Sequence, residues 1–189
     1  VTWWPLPEQR REAMAKRRIG LGFLGLGSAL VMLGIRYDSE QGLAFGARIA
    51  QAMRDEAYRA SVDLAVEKGA FPALDAERYL QSGFARRLPD DIRSAVAERG
   101  IRNSHLLSIA PTGTIALAFA DNASNGIEPA FAWSYTRRKR MADGSTQEYA
   151  VEDHAYRLFR ERGGDTESLP EAFVSALDAV GPWPPISES

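Results

Sequence analysis

An α/β fold rich in helix is what this 189-residue sequence predicts, and three stretches carry that expectation. Residues 106–110 hold Leu106, Leu107, Ile109 and Ala110, a short apolar run suited to a buried strand; Pro111 ends it because proline lacks the N–H that a ladder needs. Between positions 38 and 69, Leu43, Ala47, Ala50, Ala57 and Leu64 recur near helical spacing, which predicts one long amphipathic helix. Further on, Phe131, Trp133 and Tyr135 alternate with Ala130, Ala132, Ser134 and Thr136, the period of two that marks a strand with one aromatic face.

From the start of the chain, Pro5 and Pro7 precede a charged segment, residues 8–18, in which Ala13, Met14 and the adjoining Ile19 give only a thin apolar stripe. A surface helix is expected there. Gly20, Gly22 and Gly25 stand at the G-x-G-x-x-G spacing of a dinucleotide fingerprint, with Asp38 further along. That motif needs a hydrophobic strand leading into a helix N-terminus, yet Gly20 follows Lys16, Arg17 and Arg18. The expected role of these glycines is therefore close packing of a mostly apolar helix that Gly34 closes. The most apolar window, residues 21–35, is short of the roughly 20 apolar residues a membrane span needs, and it belongs in a core.

Asp38 with Gln41 reads as a capping box that opens the long helix, and Pro72 stops it beyond Gly69. At about 28 residues this helix would be roughly 40 Å long, enough to lie along the outside of a barrel or large sheet. Residues 75–81 and 89–98 read as two shorter helices, with Pro89 near the first position of the second and Gly100 past its end. The aromatic face of residues 130–136 is expected to cover a core, a base-stacking platform being the alternative. Arg137, Arg138, Lys139 and Arg140 extend that strand as a basic run expected in solvent, with charge lent to a bound phosphate as the other reading. Asp143 and Gly144 make a hairpin turn back to Gln147, Glu148 and Tyr149; Val151, Ala155, Leu158 and Phe159 then mark a helix ending at Gly163 and Gly164.

The most chemically specific stretch follows Pro111. Thr112, Gly113 and Thr114 make a turn in which either threonine can cap an apolar helix over residues 115–120, and Gly113 removes the Cβ that would keep a ligand from the backbone. A helix N-terminus there favours a phosphate, with threonine hydroxyls as extra donors. Local chemistry permits that reading without requiring it. The turn carries no Lys or Arg, so it is not the phosphate loop of nucleotide hydrolases.

The series Asn103, Ser104, then APTGTI at 110–115, then Ser124, Asn125, Gly126, Ile127, Glu128 and Pro129 resembles the ribonucleotide reductase large chain, in the C-terminal part of its catalytic barrel. The PTGT form is similar to the adenosylcobalamin-dependent enzymes. RIGLGFLGLGSALVMLGIRYDSE and EAYRASVDLAVEKGAFP before it, and EYAVEDHAYRLF after it, extend the resemblance over roughly residues 4–160. Ser28 departs from it, standing where an acidic residue is frequent, and the final PWPPISES has no counterpart.

That resemblance implies a helix-rich part of a ten-stranded α/β barrel, with residues 1–189 as a single segment and the N- and C-terminal parts of the full protein outside it. It implies a ribonucleoside-diphosphate reductase that makes deoxyribonucleotides by radical chemistry, with adenosylcobalamin as cofactor. The substrate phosphates would sit on Pro111, Thr112, Gly113, Thr114 and Ile115, supported by Asn103, Asn125, Gly126 and Glu128. The expected partners are the ribonucleoside diphosphate, the remainder of the catalytic domain and further copies of the chain. Family chemistry starts from a thiyl radical and ends with a pair of reducing cysteines, and this chain has no cysteine at all. No catalytic residue is therefore expected in this segment, nor activity from it alone. The alternative is a stand-alone, non-catalytic nucleotide-binding or interaction module.

Composition agrees with these expectations. A content of 45% hydrophobic and 10% aromatic residues is enough for a sizeable core. A net charge of −2 argues against a nucleic-acid or anionic-membrane surface as the main partner, since those need a basic excess. The lack of cysteine excludes disulfides and cysteine-ligated metals, and a cytoplasmic location is expected. Without an initiator methionine or a basic start followed by an apolar run, the N-terminus is expected to be no signal peptide but a chain entered midway. His105 and His154, the two histidines, are expected in structural roles.

Overall fold

The computed structural model describes residues 3–116, 126–130, 132–167 and 169. In chain order the elements are helices Pro7–Lys16 (α1), Leu26–Met32 (α2), Glu40–Lys68 (α3) and Ala76–Leu80 (α4), a 3-10 turn at Ala85–Arg87, and helices Asp90–Arg99 (α5) and Gly113–Ile115 (α6). Strands Ser134–Arg140 (β1) and Thr146–Glu152 (β2) and helix His154–Glu161 (α7) follow. The described residues of Val1–Gly22 and Arg48–Ser108 form one compact unit, and those of Phe23–Ala47 and Ile109–Ser189 form a second.

In the first unit α1 is the expected surface helix, with no buried residue. The core is built where Tyr58 and Val62 of α3 meet Ile92 and Val96 of α5, joined by Phe71, Leu88, Ile101 and Leu106. Arg102 closes the C-terminus of α3: its Nη1 donates to the carbonyls of Lys68 at 2.7 Å and Gly69 at 2.8 Å, groups the helix itself leaves unpaired. Beside it, the buried Ser61 donates to Asn103 Oδ1 at 3.0 Å and accepts from the Asn103 N–H at 3.1 Å. Asn103 Nδ2 then donates to the carbonyl of Arg17 at 2.8 Å, which holds the left-handed turn where α1 ends.

Two sequence expectations change around the pairing of Leu21. Residues 106–110, expected as a strand, contribute a single parallel bridge between Leu107 and Leu21. Hydrogen bonds from Ile19 to His105, Leu21 to Leu106 and Ser108 to Leu21 surround it, and among the described residues no other strand lies alongside to lengthen the ladder. The apolar helix expected around Gly20, Gly22 and Gly25 and closed by Gly34 is correspondingly shortened to α2. Leu21 gives its N–H and carbonyl to that pairing, and glycines at 20, 22 and 25 weaken helix formation until the left-handed Gly25, at φ 79°, opens α2.

In the second unit α3 begins on a cap other than the one expected. Ser39, not Asp38, accepts from the Gly42 N–H at 3.0 Å. Asp38 is turned aside by Arg36, whose guanidinium lies 2.5 Å away and holds its carboxyl below the usual range. The β1–β2 hairpin pairs Ser134 with Glu152 through to Arg140 with Thr146, and it turns at Asp143 and Gly144 as expected, with Gly144 at φ 84° and Ser145 N–H donating to Asp143 at 2.9 Å. The strand starts at Ser134 instead of Ala130 because the Trp133 carbonyl accepts from Asp153 N–H, where the partner strand ends. Asp153 also caps α7, its Oδ1 accepting from Ala155 N–H at 2.8 Å, so Val151 falls in β2 instead of the helix. Val31, Ala130, Trp133, Val151 and Ala155 form this unit's core, and Trp133 stacks on Tyr156. Phe131 lies outside the described residues, and none of the described helices is long and apolar enough to cross a membrane.

The corrected cap is testable by urea denaturation. Ser39→Ala should cost about 1 kcal/mol, because the N-terminus of α3 loses its side-chain acceptor, whereas Asp38→Ala should leave the midpoint close to wild type, since its ion pair with Arg36 is exposed. Equal losses would restore Asp38 as the cap.

Candidate functional site

The turn after Pro111 lies in the second unit and opens α6 at Gly113, two positions before the Ile115 start that the sequence predicts. Residues 117–120 of the expected helix lie outside the described residues. Thr112 occupies the cap position, but its side chain makes no capping bond; its backbone is left-handed, φ 49° and ψ 16°. A β-branched residue in that region is strained by about 1–3 kcal/mol. Its carbonyl accepts from the Ala116 N–H at 2.8 Å, so the helix does start here. Thr112 Oγ1 is buried and has no hydrogen-bond partner among the described residues. Gly113 has open space where a Cβ would stand, and Thr114 is exposed.

Residues 126–129 approach this turn closely. A Cβ on Gly126 would lie 3.4 Å from the Ala110 carbonyl oxygen, 3.6 Å from Thr112 Oγ1 and 2.8 Å from Glu128 Oε2. Glu128 Oε1 accepts from the Gly126 N–H at 3.1 Å, which folds the carboxylate back over its own loop. Thr112, Gly126 and Glu128 of the expected site are thus brought together. Asn103 belongs to the first unit and is engaged with Ser61 and Arg17, while Asn125 lies outside the described residues.

Three contacts that no local signal announces fasten the same four residues. Gly25 N–H donates to the Gly126 carbonyl at 2.7 Å, and the Tyr37 hydroxyl donates to the Ile127 carbonyl at 2.9 Å. At Gly27 a Cβ would stand 2.7 Å from the Glu128 carbonyl oxygen and 2.8 Å from Pro129 Cα, so only glycine lets α2 sit this close. The dinucleotide reading of these glycines loses its groups: the Gly25 N–H is spent on Gly126 and Asp38 on Arg36.

The second unit also buries a carboxylate. Asp153 is fully buried, and burial pushes its carboxyl above the ordinary range, opposed by the Ser28 hydroxyl, which donates to Oδ2 at 2.7 Å, and by backbone N–H groups. An acidic side chain at position 28 would face a second carboxylate, whereas serine supplies a donor. His105 and His154 are exposed, the former 3.0 Å from Ser104 Oγ through Nδ1. The side chains of Arg137, Arg138, Lys139 and Arg140 are exposed as expected, with Arg138 on Glu148 at 2.8 Å. Among the described residues no group of three or more His, Cys, Asp or Glu is placed to hold a metal ion.

The family described as ribonucleotide reductase, barrel domain, matches residues 1–188, and the chain belongs to it. A vitamin B12-dependent ribonucleoside-diphosphate reductase of Mycobacterium tuberculosis is 40% identical over 137 residues, 72% of this chain and 17% of that relative. A protein of the same name from Thermoplasma acidophilum is 32% identical over 71% of this chain and 15% of its own length. A ribonucleoside-diphosphate reductase subunit alpha of Treponema pallidum is 29% identical over 74% of this chain and 17% of its own. The chain therefore spans under a fifth of the length of these relatives.

The buried pair gives a pH-dependent expectation. Because Asp153 binds its proton more tightly folded than unfolded, the stability it adds is present below the ordinary carboxylate value and lost as pH rises through the raised one. Ser28→Ala removes a donor to the charged form and should cost about 1–3 kcal/mol near neutral pH, shrinking as the pH falls and Asp153 is protonated. Denaturant titrations at two pH values, followed by circular dichroism, would show this; a loss independent of pH would mean that the hydroxyl does not answer the Asp153 charge.

Proposed function

We propose that this chain is part of an adenosylcobalamin-dependent ribonucleoside-diphosphate reductase and that its share of the work is to hold the substrate's terminal phosphates. The observation that carries the reading is Thr112, a strained left-handed residue whose buried hydroxyl has no partner among the described residues, placed where a helix opens. Strain and an unpaired buried donor are both unfavourable for folding alone, and an anion at the turn would answer the second. The phosphate would take the N–H groups of Gly113, Thr114 and Ile115 at the start of α6 and the Thr112 and Thr114 hydroxyls, with Pro111 shaping the turn and Gly126 and Glu128 the far wall. Holding the phosphates fixes the ribose for reaction elsewhere, so binding energy remote from the chemistry is used for orientation.

The cobalamin, when bound, supplies the radical; no residue of this chain is assigned to it. With no cysteine in the sequence, the thiyl radical and the reducing dithiol belong to other parts of the protein in this reading. The larger architecture is a ten-stranded α/β barrel of which this is one portion. The parallel pairing of residues 19–21 with 105–108 supports it, since parallel neighbours need a long helical crossover between them. Ile19 and Leu21, each 45% exposed, would then be covered by a neighbouring strand. The reductase is placed in the cytoplasm.

In the intact reductase, Thr112→Val and Thr114→Val should each weaken binding of a nucleoside diphosphate roughly 10- to 150-fold, the worth of one hydrogen bond to a charged group. The bare nucleoside should bind unchanged. Loss of less than about twofold for the diphosphate in both variants would remove the phosphate role of the turn.

The isolated 189 residues should self-associate through their open strand edges and apolar surface. Light scattering that finds a strict monomer at high concentration, with negligible binding of an apolar dye, would count against the barrel reading.

A further inference from the structure

We infer that Tyr37 is a positioning residue for the phosphate turn, acting through residues 126–129; the inference rests on the turn's phosphate role proposed above. The path is continuous within the second unit. The Tyr37 hydroxyl donates to the Ile127 carbonyl at 2.9 Å across 90 residues of sequence. On one side of Ile127, a Cβ placed on Gly126 would stand 3.4 Å from the Ala110 carbonyl oxygen and 3.6 Å from Thr112 Oγ1, so the two segments run side by side with only a methyl-sized space between them. On the other, the backbone of Glu128 and Pro129 rests directly on Gly27.

Residues 126–129 belong to no helix or strand, so no ladder holds them in place. Their carbonyls are instead fixed one by one: Gly126 by the Gly25 N–H, Ile127 by Tyr37, and Glu128 by its contact with Gly27. Of these, Tyr37 is the one side chain, and it stands between α2 and α3, away from the turn. Its ring is half-buried and its hydroxyl makes the contact, so the hydroxyl can be removed with little change in shape. Without it the Ile127 carbonyl is free to turn towards water, and the wall that Gly126 presents to Thr112 loosens. A loose wall lowers affinity for the phosphates alone, because the anion must then order the segment that Tyr37 now holds.

The test is Tyr37→Phe in the intact reductase, compared with wild type and with Thr112→Val, by dissociation constants for a nucleoside diphosphate and its bare nucleoside. Tyr37→Phe should weaken diphosphate binding about fivefold, the worth of one neutral hydrogen bond, with nucleoside affinity unchanged and the protein still folded. Gly27→Ala, whose methyl must displace the Glu128 and Pro129 backbone, should weaken it further. If Thr112→Val weakens diphosphate binding and Tyr37→Phe does not, the turn binds phosphate and the positioning role is wrong. If neither does, the phosphate reading fails and takes this inference with it. Equal loss for diphosphate and nucleoside, or a Tyr37→Phe protein that does not fold, would make the hydroxyl merely structural and overturn the proposal.

Discussion

Buried backbone groups outside helices and strands must each find a partner, and this constraint dictates where the polar side chains of the protein are used. In the first unit Ser61, Asn103 and Arg102 serve the carbonyl of Arg17 and the last carbonyls of α3. In the second, Asp153, Tyr37 and the Gly25 amide serve the start of α7 and residues 126–127. Apolar clusters supply most of the stabilisation in each unit, but they are tolerant of small shifts; the polar contacts are directional and set the paths of the connecting segments.

Thr112 is the exception to that accounting, and it lies in the turn proposed above to hold a phosphate. Nearly every other buried polar side-chain atom among the described residues has a partner; Thr112 Oγ1 does not, and its backbone is strained as well. Arg17 Nε and Arg93 Nε share the lack of a partner, but only Thr112 stands at the opening of a helix. A site that binds an anion must hold its donors ready before the ligand arrives, which leaves them unsatisfied in its absence.

The chain's lack of cysteine and its membership of the ribonucleotide reductase barrel family fit together as a division of labour. Radical chemistry needs thiols and a cofactor; phosphate holding needs a turn, hydroxyls and backbone N–H groups. In the function proposed above, this chain carries the second set.

Elements governed by local chemistry were legible in the sequence. The long helix read from residues 38–69 is α3, Asp75 caps α4 through the Arg78 N–H, and the Asp143–Gly144 turn forms the hairpin, because each signal lies within a few residues of its effect. The PTGT turn and the family resemblance were legible for the same reason: they are contiguous strings. The rest required the tertiary structure. Ser39 took the cap only because Arg36 drew Asp38 away, and α2 was shortened because Leu21 pairs with a segment some 85 positions later. Tyr37 reaching Ile127, Ser28 reaching Asp153, and Gly27 lying on Glu128 and Pro129 join residues about a hundred positions apart, for which no local pattern exists. Sequence alone determined the long helix, the shorter helices at 75–81 and 89–98 and the hairpin turn; packing decided which polar groups were left to hold residues 126–129, since hydrogen bonds follow distance in space and not along the chain.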